Sequence, residues 1–185
     1  MDQTLVEGIA DRLRQGDPGA LEWLVSAFHR PVYRFLICRG VESGLAEELT
    51  GETFFQLVRG FARFRGDDGQ VRAFVYATAR TVRASRERRT RSVEQSHHTA
   101  SEIIDRKSSP LQVLLAAERG EQLACAIAEL SDIAREVVVL RFVEDLSIEE
   151  IATTCSLPIG TVKSHLHRAK QDLKRILTEA EISDE

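Results

Sequence analysis

Pro158, Gly160, Thr161, Lys163, Ser164, His165, His167, Arg168 and Gln171 crowd a short stretch near the C-terminal end of this 185-residue chain. Threaded between them, Ile159, Val162, Leu166, Ala169, Leu173 and Ile176 recur at steps of three and four. On a helix that spacing gathers the apolar residues on one face. Gly160, Thr161, Ser164, His167, Arg168, Gln171 and Arg175 then take the other face, with Lys163 and His165 on its flanks. Hydroxyls, imidazoles, an amide and cations are the groups that bond phosphate oxygens and base edges, and a glycine lets a backbone come close. A solvated helix in a bundle carries the same stripe, so a cationic face alone would favour that plainer reading. The preceding segment shifts the balance. Ser147 followed three positions later by Glu150 forms a capping box. Ile148, Ile151, Ala152 and Cys155 then supply one buried stripe, and Pro158 halts that helix and opens the next. Two short helices, a tight turn and a basic second helix make the layout of a helix-turn-helix that enters the DNA major groove.

A second cationic cluster lies mid-chain. Phe74, Val75 and Ala79 form an apolar stripe, and Arg72, Tyr76, Arg80, Arg83 and Arg86 lie on adjoining faces. From Arg80 to Arg91 six arginines face only Glu87. Cations interleaved with flat rings suit a strand backbone and unstacked bases. A basic helix end favoured by the macrodipole explains the same residues equally well when the segment is read alone. The net charge of −4 argues weakly against a nucleic-acid binder, but local patches steer binding, not the total. The balancing acid sits elsewhere, at Glu42, Glu47, Glu48 and Glu52, at Glu144, Asp145, Glu149 and Glu150, and in the tail.

Other chemistries find little footing. Cys38, Cys125 and Cys155 are odd in number and far apart, with no CxxC pair, so they read as small buried hydrophobes in a reducing compartment. His97 and His98 have no carboxylate or cysteine at ligand spacing, and they read as a solvated pair. We therefore expect no metal, no cofactor and no catalytic residue. The N-terminus lacks a basic lead and an apolar block, and no apolar run reaches the roughly 18 residues a span needs. A soluble, cytoplasmic protein without membrane insertion is the expectation.

The elements that must hold these residues are helical. Hydrophobic residues make up 43% of the chain, aromatics 6%, and glycine and proline are sparse, which favours an all-α fold. Asp17-Pro18 caps a helix over about 18–39 that buries Leu21, Leu24, Val25, Phe28, Val32 and Phe35. A second, over about 45–61, buries Leu45, Leu49, Phe54, Leu57, Val58 and Phe61. Arg65–Gly69 is a turn-rich loop, and a third helix runs from about Gln70 into the arginines. Periodicity fades from Ser92 to Pro110 and resumes at Leu111, with a further helix over Ile133–Val143 ahead of the helix-turn-helix. The expected division is a helical domain at 5–91, a flexible linker at 92–110 and a second domain at 111–178.

Longer matches make the reading specific. Arg135-Glu136-Val137-Val138-Val139-Leu140-Arg141-Phe142, then Leu146-Ser147-Ile148-Glu149-Glu150-Ile151-Ala152 and Gly160-Thr161-Val162-Lys163-Ser164, resemble region 4 of bacterial sigma factors, a winged-helix-like helix-turn-helix. Ala46-Glu47-Glu48-Leu49-Thr50-Gly51-Glu52-Thr53-Phe54 and Arg72-Ala73-Phe74-Val75-Tyr76-Ala77-Thr78-Ala79-Arg80 resemble region 2. Two such domains on a short linker are similar to the extracytoplasmic-function group of the sigma-70 family. The resemblance implies a promoter-specificity subunit of core RNA polymerase that directs promoter recognition, DNA melting and initiation. It implies that Glu47, Glu48, Glu52, Phe55 and Gln56 grip the beta-prime clamp helices. It assigns Arg63, Arg65, Arg72, Phe74, Tyr76, Arg80, Arg83, Arg86, Arg88 and Arg89 to the −10 element and its melting. The helix-turn-helix residues named first are assigned to the −35 element. The beta flap and an anti-sigma protein are further implied partners.

This chain departs from the family pattern mainly in region 2. Phe74 stands where tryptophan is usual, Thr81 for asparagine, Ser85 for aspartate, and Glu48 and Gly51 where aspartate and glutamine are common. In region 4, His165 replaces a common arginine and Ser131 a common proline. The competing reading is a helix-turn-helix regulator that works without polymerase. The 47–58 segment separates the two, because an autonomous regulator has no use for a clamp-binding helix.

Overall fold

A computed structural model describes residues 7–96 and 126–183. Among them every regular element is helical, and no helix is long and apolar enough to cross a membrane. The chain divides into two compact units. One holds residues up to Tyr33 together with those from Gly44 to Lys107, and the other holds Arg34–Ser43 and everything from Ser108 on. The boundary therefore falls inside a helix.

In the first unit a short helix, α1 (Ile9–Arg14), precedes α2 (Pro18–Cys38). Asp17 caps α2 by accepting from the Gly19 N–H at 3.2 Å. It also takes the Arg12 Nε–H at 2.6 Å, and that bond chiefly holds its carboxyl below the usual range. Helix α3 (Ser43–Phe61) buries Ala46, Leu49, Thr53, Phe54, Leu57 and Phe61. Buried Thr50 and Thr53 satisfy their hydroxyls on the carbonyls one turn back, each at 2.7 Å. Val58 is 49% exposed: the stripe runs 54, 57, 61, and Val58 stands one position off it. Val25 likewise lies outside the core.

A loop and a single 3-10 turn (Asp68–Gln70) lead into α4 (Val71–Ser96). α4 continues five residues past the point where the periodicity fades; the remainder of the expected linker lies outside the described residues. So does the segment from Leu111 to Cys125.

In the second unit residues 126–129 are helical, and α5 (Asp132–Val138) follows. Arg135 donates to the Ile127 and Leu130 carbonyls at 3.1 and 3.0 Å and to that of Ala128, closing the preceding helix end. The expected helix over 133–143 changes pitch midway, because Val139–Val143 is a π-helical turn. That turn directs Glu144 inward, where its fully buried carboxylate takes Arg34 in a two-pronged pair at 2.8 and 2.9 Å. Arg39 and Glu136 form a second buried pair at 3.7 Å. Helix α6 (Ile148–Cys155) and helix α7 (Ile159–Ser183) complete the unit. Leu130, Ala134, Val138 and Ala169 share a core cluster with Leu173 packed against it. α7 is thereby fixed by one face, and its other face is left outward.

Candidate functional site

The turn between α6 and α7 is built as the sequence indicates. Ser147 Oγ accepts from the Glu150 N–H at 3.1 Å, and Glu150 Oε2 accepts from the Ser147 N–H at 2.7 Å, so two otherwise orphaned donors are satisfied. At the far end Ser156 adopts a left-handed conformation, φ 55°. The Leu157 N–H reaches back to the Ala152 carbonyl at 2.9 Å, the long bond of a Schellman motif. Pro158 then starts α7 by offering its carbonyl to the N–H groups of Thr161 and Val162.

On α7, Val162 and Ala169 are buried and Leu166, Leu173 and Ile176 half-buried, while Ile159 at the helix start is exposed. Pro158, Gly160, Lys163, Ser164, His167, Arg168 and Gln171 are exposed; Thr161 and His165 are partly so. Nothing lies within 4 Å of a Cβ built on Gly160, so a ligand's backbone could approach there unobstructed. His167 Nε2 and the Gln171 amide are 3.1 Å apart.

On α3, Glu47, Glu48, Glu52, Phe55 and Gln56 are all exposed. Glu48, Glu52, Phe55 and Arg59 follow one another at steps of four and three along one helix face. Phe55 is 55% exposed, and the Arg59 guanidinium lies 5.4 Å from its ring centre. Arg59 extends this surface and was not anticipated, while Val58, expected in the core, is exposed beside it. The i, i+4 spacing of Phe55 and Arg59 was the available signal.

On α4 the residues expected at a melted strand separate. Arg86, Arg88 and Arg89 are exposed, and Arg72, Arg80 and Arg83 are partly so. Arg83 pairs with Glu87 at 2.6 Å. Tyr76 is a correction: it is fully buried, so its ring cannot stack on a base without leaving the core. Its place three residues before buried Ala79 could have indicated this. Phe74 is half-buried, with ring centres 5.1 and 4.8 Å from Phe61 and Phe64.

Arg63 and Arg65 are exposed at a loop that is tied down from several sides. Asp68 caps α1 by accepting from the Gly8 and Ala10 N–H groups, both at 2.7 Å. Arg14 donates to the Gly66 carbonyl at 2.8 Å, and Asp67 and Gln70 form a reciprocal cap. Asp68 and Arg14 therefore position the candidate DNA-facing loop. A Cβ on Gly66 would fall 2.4 Å from the Phe64 ring, so the loop's form depends on glycine there.

Between α3 and α4 runs a groove of about 650 Å³. Glu47, Glu48, Glu52 and Gln56 line one wall; Phe74, Arg86 and Arg89 stand on the other. Gly51, Thr81 and Ser85, three of the departures from the family pattern, also line it. Four of the polymerase candidates and three of the melting candidates are thus brought to one cleft, and the helix-turn-helix set lies on α7 and the turn before it.

Two family models match the chain: sigma-70 region 2 over residues 24–93, and sigma-70 region 4 over residues 120–173. The ECF RNA polymerase sigma-E factor of Escherichia coli strain K12 is 29% identical over 178 residues, covering 92% of this chain and 91% of that protein. The RNA polymerase sigma-H factor of Pseudomonas aeruginosa is 27% identical over 184 residues, covering 95% and 93%. Among solved structures the fold is similar to that of CnrH in complex with the cytosolic domain of CnrY, with TM-score 0.69 at 17% identity. That match covers 92% of this chain and 96% of the other. It is also similar to the Bartonella quintana sigma factor RpoE in complex with the anti-sigma factor NepR, with TM-score 0.65 at 24% identity over 85% and 96%. With both sigma-70 regions present in order, and relatives of one kind matching along nearly their whole length, the chain belongs to the extracytoplasmic-function group of the sigma-70 family and is a promoter-recognition factor that partners with RNA polymerase.

Proposed function

We propose that three surfaces of this chain divide the work of initiation. Glu47, Glu48, Glu52, Phe55 and Gln56, with Arg59 beside them, hold the clamp helices of core polymerase. Arg63, Arg65, Arg72, Arg80, Arg83, Arg86, Arg88 and Arg89, with Phe74 at their edge, hold the opened −10 strand. Pro158, Gly160, Thr161, Lys163, Ser164, His165, His167, Arg168 and Gln171 read the −35 element. The corresponding domains are residues 5–91 and 111–178, with a linker between them. One observation carries this reading most directly. Carboxylates and an aromatic ring stand exposed on one face of α3, where an autonomous DNA-binding regulator would need only solvation. Acid around an apolar ring complements a basic helical partner. Binding to core polymerase tests it: Glu52→Lys should abolish binding, and unchanged affinity would overturn the assignment of α3.

Sigma factors of this family are generally non-catalytic, and we infer the same of this chain: it supplies specificity and charge, and the polymerase supplies the chemistry. It acts in the cytoplasm, where polymerase and promoter DNA meet. We further propose that an anti-sigma protein restrains it, since RpoE of B. quintana is solved with one. Exposed Phe55 and Val58 offer an apolar docking face. Co-purification from the native host should recover such a protein; recovery with core polymerase alone under every condition would overturn this.

A further inference from the structure

One contact crosses the groove between α3 and α4. Arg86 Nη1 meets Glu48 Oε1 at 2.7 Å, joining side chains 38 residues apart in sequence. The walls it joins are opposite in charge, with Glu47, Glu48 and Glu52 on α3 against Arg86 and Arg89 on α4. Both side chains are about half exposed. Water screens such a pair, and fixing two long side chains costs entropy, so it adds little to folding stability. Its interest lies in what it occupies: a carboxylate of the polymerase face and a guanidinium of the melting face neutralise each other.

We propose that the Glu48–Arg86 pair couples polymerase binding to DNA binding. This rests on the assignment of α3 to polymerase made above. A polymerase cation that takes Glu48 releases Arg86 to a phosphate of the opened strand. A phosphate that takes Arg86 in turn leaves Glu48 free for polymerase. Linkage makes the two effects equal in size, and the modest worth of an exposed pair sets that size at about two- to fivefold. In the free chain Arg86 is held back from DNA; in the holoenzyme it is available. The device makes strand capture depend on polymerase without any movement of the backbone.

The test uses the full chain, core polymerase, and a fluorescent single-stranded oligonucleotide carrying the −10 sequence of a promoter the holoenzyme transcribes. Arg86→Gln should raise the affinity of the free chain for core about two- to fivefold, because Glu48 is no longer occupied. It should weaken the free chain's binding to the oligonucleotide by about two- to fivefold less than it weakens the holoenzyme's, because the pair with Glu48 already discounts the phosphate contact in the free chain. In the holoenzyme the same substitution should weaken oligonucleotide binding and reduce the slope of log affinity against log salt by about 0.7, the loss of one phosphate contact on a single strand. Arg86→Lys, which keeps the charge, should stay near wild type in all three. Equal weakening of DNA binding in free chain and holoenzyme would overturn the coupling alone. So would unchanged core affinity in Arg86→Gln. If Glu52→Lys left core binding intact, the reading of α3 would fail first and the coupling with it.

Discussion

Glu144 grips Arg34 with both carboxylate oxygens, at 2.8 and 2.9 Å, and the Arg34 guanidinium also reaches the Val143 carbonyl at 3.2 Å. The carboxylate is fully buried and the arginine 30% exposed. A charge desolvated this far depends on its partner, so removing one member leaves the other stranded. Arg34→Ala should therefore destabilise the unit that contains α5 to α7 by about 3 kcal/mol. Urea denaturation followed by circular dichroism checks this, and a loss under about 1 kcal/mol, the range of exposed pairs, would contradict it.

Cys38 lies beside this pair. Burial, reinforced by Glu144 and opposed by Arg34, pushes its thiol from 9.0 up to about 12. Below about pH 9 the thiol is protonated in folded and unfolded chains alike and contributes nothing to pH dependence. Between about pH 9 and 12 the unfolded chain ionises first, so stability falls by about 1.4 kcal/mol per pH unit. Cys38→Ala should remove that component. Denaturation midpoints of the two proteins should diverge as pH rises above 9, and parallel profiles would contradict the account.

Gly51 sits inside α3 with nothing within 4 Å of where a Cβ would stand. Its flexibility therefore serves no local packing need. Gly51→Ala should stabilise the helix by up to about 1 kcal/mol. Gly51→Gln, restoring the usual family residue, should also tighten binding to core polymerase. Equal affinity of Gly51→Ala and Gly51→Gln for core would show that the side chain here makes no contact with it.

Arg168 is exposed on the outward face of α7. Arg168→Ala should lower initiation from promoters that depend on the −35 element, by about 1–3 kcal/mol if the contact is bidentate to a base. Competition between promoters with intact and altered −35 elements measures it. Unchanged selectivity would count against this face as the reader of the groove.

Much of this was legible because its causes are local. The capping box of Ser147 and Glu150, the stop at Pro158 and the stripe through Val162 and Ala169 each depend on neighbours within a turn or two, so the helix-turn-helix could be read directly. The pitch change at Val139–Val143 could not. It is bound up with burying Glu144 against Arg34, 110 residues away in sequence, and no local pattern marks that partner. The loop at Arg65–Gly69 read as a turn, but its anchorage to α1 through Asp68 crosses about 60 residues and was invisible. Tyr76 was misjudged because an aromatic ring among arginines suits a stacking platform and a core equally well. Its position beside buried Val75 and before buried Ala79 decides for the core.

The central claim, that this chain makes core polymerase promoter-specific through the exposed face of α3, is tested most directly by run-off transcription with purified core polymerase. Discrete transcripts should appear only when the chain is added. They should vanish with Glu52→Lys, which, at an exposed position, should keep the wild-type circular dichroism spectrum. A chain that binds promoter DNA selectively yet yields no transcript with core, or Glu52→Lys transcribing as well as wild type, would contradict it.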